Sequence, residues 1–133
     1  MSRAKDPEVR GISAARAGAL CYAAWGAFHC KVAADIWRLS DASQGLAQGR
    51  LRQLAAYMLT ISLLVVAVAA LRNWRNDRSG WLVNLVVAGW ADSIWVWVVV
   101  LPGYVDPIRG LVPPAIFIAG ALLTSLGRRA TRG

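Results

Sequence analysis

The stretch GWLVNLVVAGWADSIWVWVVVL, residues 80–101, contains no basic residue and a single acidic residue, Asp92. Its 22 residues would form a helix about 33 Å long at about 1.5 Å per residue. That length is enough to cross the hydrocarbon core of a bilayer, which is about 30 Å thick. The stretch therefore predicts a transmembrane helix.

Three further apolar segments accompany this one. The second segment along the chain is closed by Arg52 and Arg72, and the fourth opens with Pro113 and Pro114. Proline suits the first turn of a helix because the N–H group it lacks has no partner there. The predicted spans are residues 11–39, 53–72, 80–101 and 110–127. The sequence thus predicts an all-α membrane fold, a four-helix transmembrane bundle with up-down topology, as a single domain over residues 1–133.

The first span is the least apolar of the four. Residues 17–30 carry no formal charge, but Lys31, Asp35 and Arg38 follow within the next turns. Lys31 and Asp35 stand four residues apart and predict a local ion pair near one membrane surface. Long basic side chains can extend along a helix to reach the interface, which favours a crossing helix. An interfacial re-entrant segment is the alternative.

The chain has 15 Lys and Arg residues against 7 Asp and Glu residues, a formal net charge of +8. These basic residues lie at the ends of apolar runs and form no basic helix face, which argues against a nucleic-acid partner. If all four segments cross, ten basic residues share the side of both termini and five lie opposite. The ten are Arg3, Lys5, Arg10, Arg16, Arg72, Arg75, Arg78, Arg128, Arg129 and Arg132, and the five are Lys31, Arg38, Arg50, Arg52 and Arg109. The positive-inside rule then places both termini in the cytoplasm.

Two ionisable residues fall in the middle of these spans. His29 is thirteen residues beyond Arg16, about 20 Å along a helix, and Asp92 is twelve residues beyond Gly80, about 18 Å. In the predicted topology the two side chains lie at similar depth. Because a charge at the bilayer centre costs about 2.5–3.5 kcal/mol even on the lenient insertion scale, each one needs a partner or a purpose. The sequence predicts that His29 and Asp92 meet, either as an acid/base pair or as a hydrogen bond that ties two helices together.

Helical spacing extends this prediction to a pocket between the first and third spans. Trp25 and His29 share one face of the first span with Tyr22 and Gly26, and the small Ala88 would let the third span approach closely. The predicted ligand-binding residues are Tyr22, Trp25, His29, Asn84, Asp92 and Trp95, with Thr60 or Ser62 possible from the second span. No metal signature, Walker loop or catalytic triad spacing is present. A single histidine argues against a bis-histidine haem within one chain, and the sequence leaves the cofactor open.

The segments WGAFH (residues 25–29), NWRNDRSGW (residues 73–81) and LPGYV (residues 101–105) resemble those of small uncharacterised bacterial four-helix membrane proteins. This resemblance implies a fold and no activity. The size and helix count are also similar to the DoxX-like and emopamil-binding (EXPERA) groups, and the latter include sterol isomerases that use intramembrane His and carboxylate side chains. The sequence lacks the pair of Glu residues expected for such an isomerase. Its preference for Arg over Lys and its many Ala residues indicate a GC-rich bacterium, and hence a bacterial plasma membrane.

Three functional hypotheses follow. The first is a non-catalytic membrane protein that binds a lipophilic ligand or serves as an accessory subunit of a membrane complex, alone or as a homo-oligomer. The second is a membrane acid/base enzyme of isomerase type, with His29 as proton shuttle and Asp92 as its orienting carboxylate. The third is a small proton-coupled transporter that uses Asp92. The expected partners are the lipid bilayer, a lipophilic small molecule and a larger membrane complex.

Overall fold

The computed structural model describes residues 7–131, which form helices and no strand. The helices are α1 (Pro7–Asp41), α2 (Gly45–Leu71), α3 (Arg78–Trp95), the single-turn α4 (Pro107–Gly110) and α5 (Val112–Ala130). A 3₁₀ turn covers Asn73–Arg75, and a π-helical turn over Val96–Val100 continues α3. The predicted all-helical fold with four long helices is confirmed.

The first two helices are longer than the spans predicted from hydropathy. α2 begins at Gly45 rather than at residue 53, so the connection left between the first two predicted spans, residues 40–52, shrinks to residues 42–44. Residues 45–53 are polar but rich in Leu, Ala, Gln and Arg, all good helix formers. Hydropathy identifies the part of a helix that suits lipid. Residues of high helix propensity extend the helix beyond that part.

Three helical segments are long and apolar enough to cross a membrane: Gly45–Arg75, Arg78–Val100 and Pro107–Ala130. α1 is not among them, although it is the longest helix at 35 residues. Its many Ala and Gly residues and its polar aromatic side chains make it less hydropathic than the others. The alternative of a re-entrant segment would need a reversal of the backbone, and α1 is continuous from Pro7 to Asp41.

α1 lies between α2 and α5, and α3 lies diagonally opposite α1, where it also packs against α2 and α5. Glycine brings α1 and α5 close together. A Cβ atom built on Gly18 would lie 2.6 Å from Thr124 Cγ2 and 2.8 Å from Thr124 N, and one built on Gly127 would lie 2.6 Å from Gly11 O. Small residues allow this backbone approach in membranes, where packing rather than water exclusion holds helices together.

Neighbouring helices run antiparallel, since residue numbers rise along one helix as they fall along the next. The contacting pairs are Gly11 with Gly127 and Gly18 with Gly120 (α1 and α5), Gly26 with Ser62 and Ser40 with Arg52 (α1 and α2), Asn84 with Val65 and Gly80 with Arg72 (α3 and α2), and Trp81 with Ser125 and Gly89 with Phe117 (α3 and α5).

Polar side chains occupy many of the buried positions, and many large aliphatic side chains are exposed. The largest fully buried side chains are Trp25, Tyr22, Val65, Asn73, Asn84, Ser40 and Ser62, and four of these seven are polar. Large aliphatic side chains point outward, with Leu63 55% exposed, Val86 58% and Leu122 60%. Such an apolar outer surface suits contact with lipid.

The turn between α2 and α3 is held by its own polar groups. Asn76 adopts a left-handed backbone conformation with φ of 57° and donates from Nδ2 to the Gly127 carbonyl oxygen at 3.2 Å. Asp77 caps α3 by accepting from the backbone N–H of Ser79 at 2.7 Å. This bond, the Ser79 hydroxyl and Arg72 hold the pKa of Asp77 below its usual value. The turn thereby anchors the last residues of α5 to the start of α3.

Replacing Gly18 by alanine should lower the free energy of unfolding by about 1–3 kcal/mol, because the new methyl group would meet the backbone of α5, which has no rotamer to change. Gly49→Ala is the matched control: its Cβ would meet nothing within 4 Å, and alanine should stabilise α2 by up to about 1 kcal/mol. Thermal unfolding of both variants in detergent measures the difference. Equal stability of the two variants would contradict the close packing of α1 on α5.

Candidate functional site

A buried hydrogen bond joins α1 to α3 across the diagonal of the bundle. Trp25 Nε1 lies 3.0 Å from Asp92 Oδ2 and 3.2 Å from Oδ1, so one N–H group is shared by both carboxylate oxygens. Trp25 is fully buried and Asp92 is 3% exposed. The sequence predicted that the small Ala88 would let the backbones of α1 and α3 approach closely, but such an approach does not join the two helices. The long indole of Trp25 spans the distance instead.

His29 lies one turn beyond Trp25 and contacts this tryptophan rather than Asp92. His29 Nδ1 lies 2.8 Å from the Trp25 carbonyl oxygen. A carbonyl oxygen only accepts, so Nδ1 is the donor in this hydrogen bond. The two rings stack with centroids 3.8 Å apart. Within residues 7–131 no hydrogen bond joins His29 to Asp92, and Trp25 separates the pair that the sequence predicted to meet.

The other predicted site residues make contacts that hold helices together. The Tyr22 ring packs against an aromatic ring of α5, with centroids 6.2 Å apart. Asn84 Nδ2 donates to the Val65 carbonyl oxygen at 3.2 Å, which ties α3 to α2. Trp95 Nε1 donates to the Gly110 carbonyl oxygen at 2.8 Å and so binds the end of α3 to α4.

A cleft of about 330 Å³ lies between α3 and α5 and opens on the outer surface of the bundle. Its lining consists of Gly89, Asp92, Ser93, Val96, Trp97, Pro114, Phe117 and Ile118. Asp92 is the one ionisable residue in this lining. The hydroxyl of Ser93 donates to the Gly89 carbonyl oxygen at 2.7 Å, which leaves the rest of the wall predominantly apolar. Asp92 therefore contacts Trp25 on its inner side and borders an apolar cleft on its outer side.

Two local features shape this cleft. Phe117 Cζ would lie 2.9 Å from a Cβ atom on Gly89, so the missing side chain makes room for the Phe117 ring at one end. At the other end, Val96 and Trp97 belong to the π-helical turn, in which the Leu101 N–H donates to the Val96 carbonyl oxygen at 2.9 Å. A π-helical turn widens the backbone and is frequent at functional sites.

Asp92 is the one residue of the predicted ligand-binding set that lines the cleft; Tyr22, Trp25, His29, Asn84 and Trp95 do not, nor do Thr60 and Ser62. The missed residues lie on α5 and on the outer face of α3. The helical stripes predict a pocket between the first and third spans and include no residue of the fourth. The available signal was Gly89, three residues before Asp92, since a glycine inside a helix often marks a close contact.

Asp92 has no cationic partner among residues 7–131. The predicted ion pair of Lys31 and Asp35 is confirmed. The Asp92 carboxylate has lone pairs beyond those that one indole N–H can engage. It can therefore accept further hydrogen bonds, or pair with a cation, on the cleft side. Within the same residues no group of three His, Cys, Asp or Glu side chains could hold a metal ion.

Trp25→Phe should destabilise the protein by about 1–3 kcal/mol, because it removes the donor and leaves a buried carboxylate without a partner. In the double variant with Asp92→Asn the loss should be smaller than the sum of the single losses, with a coupling of about 0.5–3 kcal/mol. Trp97→Phe serves as control, since Trp97 is 74% exposed. Thermal unfolding in detergent gives the four values, and strict additivity of Trp25→Phe and Asp92→Asn would contradict the contact.

No family model, curated protein or solved structure matches this chain.

Proposed function

We propose that this protein is a non-catalytic membrane protein that binds a lipophilic cation, such as a long-chain amine, in the cleft between α3 and α5. The observation that supports this proposal is Asp92, a nearly fully buried carboxylate on the wall of an apolar cleft. An unpaired charge inside a bilayer costs about 2.5–3.5 kcal/mol on the lenient insertion scale, and a bound cation would offset that cost. The apolar lining suits the hydrocarbon part of such a ligand.

The geometry favours binding over acid/base catalysis. An enzyme that uses His29 and Asp92 together needs both side chains within reach of one substrate. Asp92 borders the cleft, whereas His29 is absent from its lining and is held by the Trp25 carbonyl on the α1 side. A ligand in the cleft would meet one of the two groups, which suits recognition of a charge better than proton transfer between them.

We further propose that α1 crosses the membrane, so that the chain forms a four-helix up-down bundle in a bacterial plasma membrane with both termini in the cytoplasm. Arginine–tryptophan pairs near both ends of α1 support this. The Arg16 guanidinium lies 5.4 Å from the Trp74 ring centroid, and that of Arg52 lies 5.3 Å from the Trp37 ring centroid. Such residues favour membrane interfaces. Arg16 and Trp37 stand 21 residues apart, about 31 Å along the helix, close to the ~30 Å hydrocarbon thickness.

Three amphiphiles with one chain length and different head groups test the ligand proposal. Dodecylamine should bind the purified protein more tightly than dodecanol, and dodecanoate should bind most weakly, because only the amine offers a positive charge to Asp92. Asp92→Asn should weaken dodecylamine binding by about 10- to 100-fold, since hydrogen bonds to charged groups contribute about 1.5–3 kcal/mol. Trp97 lines the cleft and should report binding through its fluorescence.

Asp35→Asn is the matched control for this experiment. Asp35 is an exposed acid on α1 that pairs with Lys31 and Arg38 and takes no part in the cleft lining. Its replacement should leave dodecylamine affinity unchanged. An equal loss in both variants, or equal affinity of the native protein for dodecylamine and dodecanoate, would show that Asp92 does not select the ligand.

The proposed topology is tested by fusing reporter proteins to the C-terminus. A cytoplasm-active reporter fused after Gly133 should work, and a periplasm-active reporter at the same position should not, because ten of the fifteen basic residues favour the cytoplasmic side. A cysteine introduced at Arg75 in the α2–α3 turn should likewise resist an impermeant thiol reagent added to intact cells. Labelling at Arg75 from outside would reverse the assigned orientation.

A further inference from the structure

A second cleft lies where the first turn of α3 meets the last turns of α5. Its volume is about 340 Å³, and its lining residues are Arg78, Trp81, Ser125, Arg128 and Arg129. Three of these five residues are arginines and none is acidic. We propose that this cleft binds the phosphate group of an anionic phospholipid. This site is separate from the Asp92 cleft and does not depend on the function proposed for it.

The wall of this cleft is held by contacts between the two helices. Trp81 Nε1 donates to Ser125 Oγ at 2.9 Å, and Ser125 Oγ donates to the Ala121 carbonyl oxygen at 2.6 Å. The Arg128 guanidinium lies 5.5 Å from the Trp81 ring centroid, so one arginine of the cleft is stacked on an aromatic face. A guanidinium held in this way loses less conformational freedom when it binds an anion.

Arg78 and Arg129 supply further positive charge. Both are exposed, and neither forms an ion pair with another of residues 7–131. The acidic neighbour of Arg78 in sequence, Asp77, is engaged by Arg72 and by the Ser79 backbone N–H. Planar guanidinium groups bind phosphate oxygens through two parallel hydrogen bonds, which makes arginine well suited to phosphate recognition.

The surface beside the cleft favours a lipid over a free anion. On α5, Leu122, Leu126 and Arg129 follow at i, i+4 and i+7, and the two leucines are 60% and 55% exposed. On α3, Arg78 begins a similar stripe that continues through Leu82 and Val86, 49% and 58% exposed. Each arginine thus stands at the end of an exposed apolar stripe. That order of charge followed by hydrocarbon matches the head group and acyl chains of an anionic phospholipid.

The test uses the full chain in detergent and measures bound lipid by native mass spectrometry together with the thermal midpoint. Phosphatidylglycerol should bind in preference to phosphatidylcholine and should raise the midpoint. The double variant Arg78→Gln/Arg129→Gln should weaken phosphatidylglycerol binding by about tenfold, since each arginine near a membrane surface contributes to attraction of anionic lipid. Inorganic phosphate at the same concentration should not reproduce the rise in midpoint.

Arg50→Gln/Arg109→Gln is the matched control, because it removes the same charge from exposed arginines outside the cleft. This control should keep phosphatidylglycerol binding. An equal loss in the control would attribute the effect to net charge and overturn the site. Protection by inorganic phosphate equal to that by the lipid would identify a free-anion site instead. If the Arg78 and Arg129 variant does not fold, equal binding of phosphatidylglycerol and phosphatidylcholine by the native protein would still refute the proposal.

Discussion

The hydrogen bond from the Trp25 indole to the Asp92 carboxylate is the interaction on which the interior of this protein depends. A carboxylate in the middle of an apolar helix cannot reach water, so its partner must come from another helix. α1 and α3 are diagonal neighbours, and the long indole of Trp25 spans the distance between them. The Trp25 ring also stacks on His29, and the Trp25 carbonyl oxygen accepts a hydrogen bond from His29 Nδ1. Trp25 therefore contacts both His29 and Asp92.

Packing of the four long helices is uneven, and this unevenness decides where clefts form. Glycines such as Gly18 and Gly127 let α1 approach α5 until backbone atoms touch, which leaves no space for another molecule. α3 meets α5 through larger side chains, among them Phe117 and Trp81, and these hold the two helices apart. Both clefts lie along this α3–α5 interface, one beside Asp92 and one among arginines. Close packing of α1 on α5 thus confines both clefts to the looser half of the bundle.

The distribution of charge along the bundle matches the one expected for helices in a bilayer. Arginines stack on Trp74, Trp81 and Trp37 near the helix ends, where water and head groups can solvate them. Asp92 is the exception, a buried acid within the apolar stretch 80–101 that has no cationic partner among residues 7–131. Burying a charge inside a bilayer is costly, and residues that carry such a charge usually have a function. For this reason the Asp92 cleft is the favoured functional site.

The sequence by itself predicted an all-helical fold with four apolar spans, and it placed His29 and Asp92 inside two of them; three helical segments are long and apolar enough to cross a membrane. These follow from local properties, namely hydropathy, helical period and charge position. Only the tertiary structure decided that α1 and α3 are diagonal, that Trp25 replaces His29 as the partner of Asp92, and that Asp92 opens toward α5. Helical period gives the direction of a side chain around its own axis, but not which neighbour occupies that direction. That choice was made by glycine packing between α1 and α5, a long-range contact that residue spacing within one helix does not encode.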